Sequence, residues 1–408
     1  MQSSNKIFRL EGVVQHYAWG GYEFIPLLLR QSNDDSKPFA EYWLGAHDQA
    51  SAEISLENGR KEKLNALILK EPIQTLGRKV YHEFGSLPYL LKILDVKDML
   101  SIQVHPDKKS AQRAFDEENK KGIALTATTR NYKDANHKPE LMLAISEFWL
   151  LHGFKSKEKL LYLLQNTTEL NFLTCFFGDG DYKALYKKVM EMPQHEVNIL
   201  LQPLLDRIIP LYKQNILNRN QEDFWVARAA LTFNTPGNID RGIFSIYLFN
   251  LVHCNPGEAV FQDAGVPHAY LEGQNVEIMA NSDNVLRGGL TPKHVDVQEL
   301  IKHIKFEGIT PNIINAQKTN GVEEVYKTPA PDFELSRFQL EIGQMNSFTT
   351  SSLEILFVEK GGVQLIHDQS TLDLGQGEAA VIFDDALVQL STHEKTTMYR
   401  ARVPVDNQ

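Results

Sequence analysis

The sequence predicts a mainly β fold that carries a helical insertion. Three observations predict it: short apolar runs broken by Gly, Pro, Asn and Asp through residue 154, a helical period from 155 to 235, and a return of strand texture from 236 onward. A chain of 408 residues has material for two or three such units and for a sizeable core.

Residues 1–154 contain runs such as "LPYLLKILDV" and "MLSIQVHPD", which read as buried strands with few helices between them. Within 155–235, Tyr182, Leu185, Tyr186 and Val189 repeat at i, i+3, i+4, i+7, and so do Leu205, Ile208, Ile209 and Tyr212. After Pro236 and Gly237 the run "GIFSIYLFNLVHCNPGEAVFQDAGVPHAYL" reads as strand, turn and strand, so 236–328 is expected to resume the first unit. Residues 329–408 hold short strands with glycine turns at nearly regular spacing, the pattern of a separate β-sandwich or barrel. A weak repeat links the units. "PGEAVFQDAGVPHAY" and "GQGEAAVIFDDALVQLS" share Gly-Glu-Ala and an apolar strand, but Leu387, Val388 and Gln389 stand where the first copy has His268.

Composition limits what the chain can do. A formal net charge of −10 lacks the basic footprint that a nucleic acid or an anionic membrane requires. No signal-like apolar run opens the sequence and no stretch of about 18 apolar residues occurs, so a soluble, cytoplasmic chain, a monomer, is expected. Two cysteines, Cys175 and Cys254, are too few for a disulfide framework or a thiolate metal site. Any metal must use imidazole, carboxylate or amide ligands.

Such ligands occur in two runs and one further histidine. In "SIQVHPDK", Gln103 and His105 lie two apart on a predicted strand and emerge on one face. In "YKDANHKPE", Pro139 biases Lys138 toward an extended backbone, which turns Lys138 and Glu140 to the same side. His268 follows Pro267 at the end of a strand. Two imidazoles, a carboxylate and an amide suit a divalent ion such as zinc, and a single anionic ligand leaves the site near +1, able to polarise a substrate oxygen. The run "VEIMANSDNVLRGGLTPKH" gathers Glu277, Asp283, Arg287 and Lys293 around tight glycine turns. With Lys138 and Lys108 these cations would supply a pocket for an anionic substrate.

These runs, together with "QHYAWGG" and "AEYWLGAH", closely resemble the signatures of the type I phosphomannose isomerases. The resemblance covers most of the chain. It implies a cupin-type catalytic domain in two parts (1–154 and 236–328), an inserted helical domain and a C-terminal cupin-like jelly roll without metal. It implies one Zn2+ on Gln103, His105, Glu140 and His268, with Arg287 as the catalytic arginine. The implied reaction interconverts mannose 6-phosphate and fructose 6-phosphate through a cis-enediol. His137, Lys138, Glu277 and Asp283 remain open as the general base, and Ser101, Lys108 and Lys293 as phosphate contacts; Tyr270 joins the candidate substrate contacts. Gly288 departs from the alanine usual in the family. Two rivals remain: an iron oxygenase with similar ligands, whose open positions for dioxygen Gln103 would reduce, and a sugar-phosphate sensor without turnover.

Overall fold

The computed structural model describes residues 5–56, 59–319 and 321–404. Among them, three antiparallel sheets of eleven, nine and four strands carry the fold.

The eleven-stranded sheet builds the region of interest. Its main path runs Ile314–Asn315, Glu258–Gln262, Glu140–Ala144, His268–Ala280, Tyr89–Val96, Glu41–Gly45 and Val13–Gln15. Side chains alternate across a strand, so each strand divides its residues between two faces. Leu91, Ile93, Leu141, Leu143, Val276 and Ile278 pack with Leu335, Ile355, Phe357, Val381 and Tyr399 of the nine-stranded sheet in one core. The alternate positions, among them Leu94, Met142, Ala144 and Val260, turn to an inner face and cluster with Phe148, Leu150 and Tyr270. Glu41, Lys92, Glu140 and Glu277 have the parity of this inner face, which is how a mostly apolar fold comes to bury four charges.

The short strand Gln103–Val104 pairs with the start of His268–Ala280 on one side and with Leu286–Arg287 on the other. His268 lies opposite Gln103, and Gln103 lies opposite Arg287. Directly opposed residues present their side chains to one face. The register therefore places His268, Gln103 and Arg287 in a row.

The nine-stranded sheet departs from the expected division of the chain. Ile7–Glu11 pairs with Ala379–Ile382 on one edge and Glu53–Ser55 on the other, so the first strand of the 1–154 segment belongs to the sheet of the 329–408 segment. The hydrophobic alternation of that strand reveals which face is buried and not which strand it adjoins.

The helical insertion is longer than 155–235. Helices at Lys157–Asn166, Tyr182–Glu191, Gln194–Lys213 and Glu222–Phe233 are followed by another at Gly242–Leu248, inside the run read as strand. All seven residues of that helix are buried. A segment apolar all round has no face to reveal, so periodicity cannot separate a buried helix from a buried strand. Tyr182, Leu185, Tyr186 and Val189 do form the buried face of their helix.

The internal repeat has a structural counterpart. Gly257 and Gly377 both take positive φ, +92° and +80°, and each turn leads into a strand, Glu258–Gln262 or Ala379–Ile382. Counting eleven residues on (257 to 268, 377 to 388), His268 meets the polar cluster while Val388 is buried in the apolar core of the C-terminal strands.

Candidate metal centre and anion pocket

His105, Glu140 and His268 come together, their ligand atoms all within 4.8 Å of one another and all three side chains buried. Pro139 precedes the strand Glu140–Ala144, at a strand entry where its missing N–H leaves no ladder bond unmade. Lys138 Nζ lies 3.0 Å from Glu140 Oε1, as the extended backbone before the proline requires.

The imidazole tautomers are fixed from behind. His105 Nδ1 is 2.9 Å from the Asn284 carbonyl and His268 Nδ1 is 3.0 Å from the Val266 carbonyl. A carbonyl can only accept, so each Nδ1 carries a proton and each ring turns its Nε2 toward Glu140. Those atoms lie 3.3 Å from Oε1 and 3.4 Å from Oε2. Burial pushes His105 down to about 4, so its ring is neutral near pH 7. Burial opposes charge on Glu140, but the ammonium of Lys138 beside it leads the contacts that outweigh burial and hold the carboxyl well below its usual range. A lone pair facing a carboxylate is repelled unless a cation lies between them, and His105 Nε2 is buried without a hydrogen-bond partner. Zinc bonds of about 2.0–2.1 Å in tetrahedral geometry separate neighbouring donors by roughly 3.3–3.4 Å. Here the two ring nitrogens reach different oxygens of Glu140, and the three ligand atoms lie within 4.8 Å of one another, close enough for one divalent ion to gather them. Gln103, opposite His268, offers an amide oxygen from the same face.

A small cavity of about 40 Å³ adjoins the cluster and is lined by Gln103, Glu140, His268, Lys138, Tyr270, Glu277, Lys92 and Glu41 among others. Glu277 accepts from the Tyr270 hydroxyl at 2.8 Å and lies 3.3 Å from Lys92 Nζ. Burial and the charge of Glu140 push its carboxyl up. Asp283 sits at the margin, 3.3 Å from His47 Nε2 and 3.0 Å from the Gln49 amide.

Other expected residues are placed differently. His137 is drawn to Asp332, with Nε2 2.9 Å from Oδ2, and does not line the cavity. Lys108 is exposed in the first turn of Lys108–Lys120, and neither it nor Ser101 lines the cavity.

Arg287 is half-buried, and its guanidinium has no hydrogen-bond or carboxylate partner among the described residues. Burial depresses its pKa. Lys293 is held below its usual value by burial and further by the charge of Arg287, and Lys133 by burial, then by Arg130 and, less, by Arg287. Three cations thus share a region where an anion would relieve their repulsion.

Lys92, Glu41 and Lys133 are the site residues that motif reading passes over. A signal for Lys92 was present: a lone charge in "YLLKILDV" cannot stay buried without partners, and it finds Glu277, Glu41 at 3.5 Å and the face of Trp43 at 4.8 Å. Lys133 stands in the "YKDANHKPE" run, but nothing local points it toward Arg287.

A buried histidine–carboxylate cluster on an inner sheet face, beside unpaired cations, defines the class of metal-assisted enzymes that act on small anions. Residues 7–157 match the family described as phosphomannose isomerase type I, catalytic domain. The mannose-6-phosphate isomerase of Salmonella typhimurium is 37% identical over 382 residues, covering 92% of this chain and 95% of that protein. The Escherichia coli enzyme is 35% identical, with 92% and 94% covered. A crystal structure of the Salmonella typhimurium enzyme bound to fructose 6-phosphate and zinc superposes with a TM-score of 0.88 at 34% identity, covering 98% of this chain and all of that one. The chain belongs to the type I phosphomannose isomerase family.

Proposed function

We propose that this chain interconverts mannose 6-phosphate and fructose 6-phosphate through a cis-enediol, using one zinc held by His105, Glu140, His268 and Gln103. The observation that carries the reading is the pair of imidazole nitrogens turned to one carboxylate, close enough for one divalent ion to gather them, beside an arginine unpaired among the described residues. The Salmonella typhimurium relative holds fructose 6-phosphate and zinc in its crystal structure. When bound, zinc supplies a Lewis acid for the substrate oxygens.

The chain's own residues do the rest. Arg287 offers a planar fork of donors to the oxygen on which negative charge develops. Lys293, which feels the charge of Arg287, is the cation this reading assigns to the phosphate, while Lys133 Nζ is engaged by the Leu125 and Ala127 carbonyls. The proton that moves between C1 and C2 needs a group at the cavity, which favours Lys138 or Glu277, both lining it, over His137 and Asp283, which do not. The apolar residues behind the inner face exclude water and strengthen these interactions.

The finer architecture is part of this reading: a cupin-type catalytic barrel assembled from strands on either side of the helical insertion, without Ile7–Glu11, which joins the sheet of the C-terminal segment, and a C-terminal cupin-like barrel in which Val388 takes the ligand position. A cytoplasmic location suits the two unbonded cysteines. Among the described residues no helix is long and apolar enough to cross a membrane.

A coupled assay tests the function. Mannose 6-phosphate should turn over without dioxygen, lose turnover on chelation and regain it with zinc. Full activity after verified metal removal would end the zinc reading. Absence of turnover by the zinc-loaded protein would favour the sensor.

A further inference from the structure

One carboxylate of the helical insertion hydrogen-bonds to the segment that carries Arg287. Asp240 stands between the helices Glu222–Phe233 and Gly242–Leu248. Its Oδ1 accepts from the backbone N–H of Gly242 at 2.7 Å and of Leu290 at 2.9 Å, and its Oδ2 accepts from that of Thr291 at 3.1 Å. No cation pairs with Asp240 among the described residues, so its acceptor capacity goes to backbone amides.

The amides it holds belong to a backbone that needs holding. Leu290 sits at φ +52°, a left-handed conformation unfavourable for a branched apolar residue. Gly289, at φ +121°, lies so close to Gly242 that a Cβ on either would stand 2.6 Å from the backbone of the other segment. Opposite Asp240, the same turn is laced to Ile102, whose N–H donates to Gly289 O at 3.1 Å and whose carbonyl accepts from Gly288 at 2.8 Å. The turn is clamped between the Gln103 strand and the helical insertion.

Arg287 immediately precedes this clamp and Lys293 follows it. Among the described residues neither side chain is anchored by a partner of its own, so the backbone decides where the two charges stand. We infer that Asp240 is a positioning residue for Arg287 and Lys293, and that through it the helical insertion sets the geometry of the anion pocket. The inference rests on the isomerase reading only for its kinetic consequence. The placement of the turn can be measured without turnover.

Asp240→Ala and Asp240→Asn test it in the zinc-loaded full chain. Asparagine keeps one acceptor oxygen but turns an N–H2 toward Thr291 or Leu290, so it should retain part of the function and serve where alanine fails to fold. The first measurement is amide hydrogen exchange, where 288–291 should exchange about tenfold or more faster while the Gln103 and Glu140 strands keep their protection. The second is kinetic: Asp240→Ala should lower kcat about tenfold or more with zinc content unchanged, and Asp240→Asn should fall between it and the native chain. In an Arg287→Ala background, the same change should lower kcat little further, because the residue it positions is gone. Unchanged exchange at 288–291, loss of zinc in step with activity, or a full multiplicative loss in the Arg287→Ala background would each overturn the inference. If the native zinc-loaded protein does not isomerise mannose 6-phosphate, the proposed function fails and the exchange measurement still decides the role of Asp240.

Discussion

Asn284 holds His105 through its backbone and the loop before Glu140 through its side chain. Its carbonyl lies 2.9 Å from His105 Nδ1, its Oδ1 accepts from Lys133 N at 2.7 Å, and its Nδ2 donates to the carbonyls of Asp134 and Asn136, both at 2.8 Å. The strand that bears an imidazole and the loop that delivers the carboxylate are therefore referenced to one fully buried residue. Partners behind metal ligands fix ring orientation and ligand basicity.

Asn284→Ala should thus weaken zinc binding by about 10–100-fold without removing a ligand. Competition with a chelator of known affinity measures it. An unchanged zinc affinity in a folded variant would mean that backbone contacts elsewhere hold the cluster.

Arg287→Ala should lower kcat roughly 100-fold or more, the scale of losing one oxyanion donor, with zinc retained. Because the guanidinium has no partner among the described residues, its removal orphans no carboxylate there, and the melting temperature should hardly move. Arg287→Lys should rescue only part of the rate, since a point charge lacks the planar fork. A raised KM at unchanged kcat would instead assign Arg287 to uniform substrate binding, most simply to the phosphate.

What the sequence made legible follows the range of each signal. Proline geometry acts over two residues and brought Lys138 to Glu140, whereas the expected strand through Gln103 and His105 ends at Val104 and leaves His105 just beyond it. His137 obeys the same local rules, yet Asp332, far along the chain, claims its imidazole. Likewise Lys133 is tied to the segment that carries Arg287 by Asn284, whose Oδ1 accepts from Lys133 N, a long-range contact that no local pattern encodes. The helix Gly242–Leu248 was hidden for the opposite reason: complete burial erased the periodicity that would have announced it.

The two thiols should differ sharply. Cys175 is exposed, whereas burial pushes the Cys254 thiol up to about 12, with the charge of Glu258 adding to the rise. The reactive species is the thiolate, so Cys254 remains protonated near pH 8 and only a pH approaching its raised value would activate it. Alkylation of the native protein near pH 8 should label Cys175 alone, with Cys254 reacting after denaturation. Rapid native labelling at Cys254 would contradict the packing around Phe249–Cys254.

Gly288 stands where the family usually has alanine, and its surroundings give the departure a physical cause. A Cβ there would lie 2.9 Å from the Tyr186 hydroxyl and 2.9 Å from Ile102 Cγ2. The backbone does not demand glycine, since φ at 288 is not in the left-handed region. The space does, because Tyr186 is fully buried and packed against Phe154 and Phe249. Gly288→Ala alone should overpack the contact and cost about 1–3 kcal/mol, read as a lowered denaturation midpoint. Since the neighbouring residue is Arg287, kcat should fall as well. Tyr186→Phe removes the obstructing oxygen. The pair should therefore be less destabilised than the sum of its members, with a favourable coupling of about 0.5–3 kcal/mol in a double-mutant cycle. Strict additivity would place the strain on Ile102 instead, and Ile102→Val would then become the compensating change to measure.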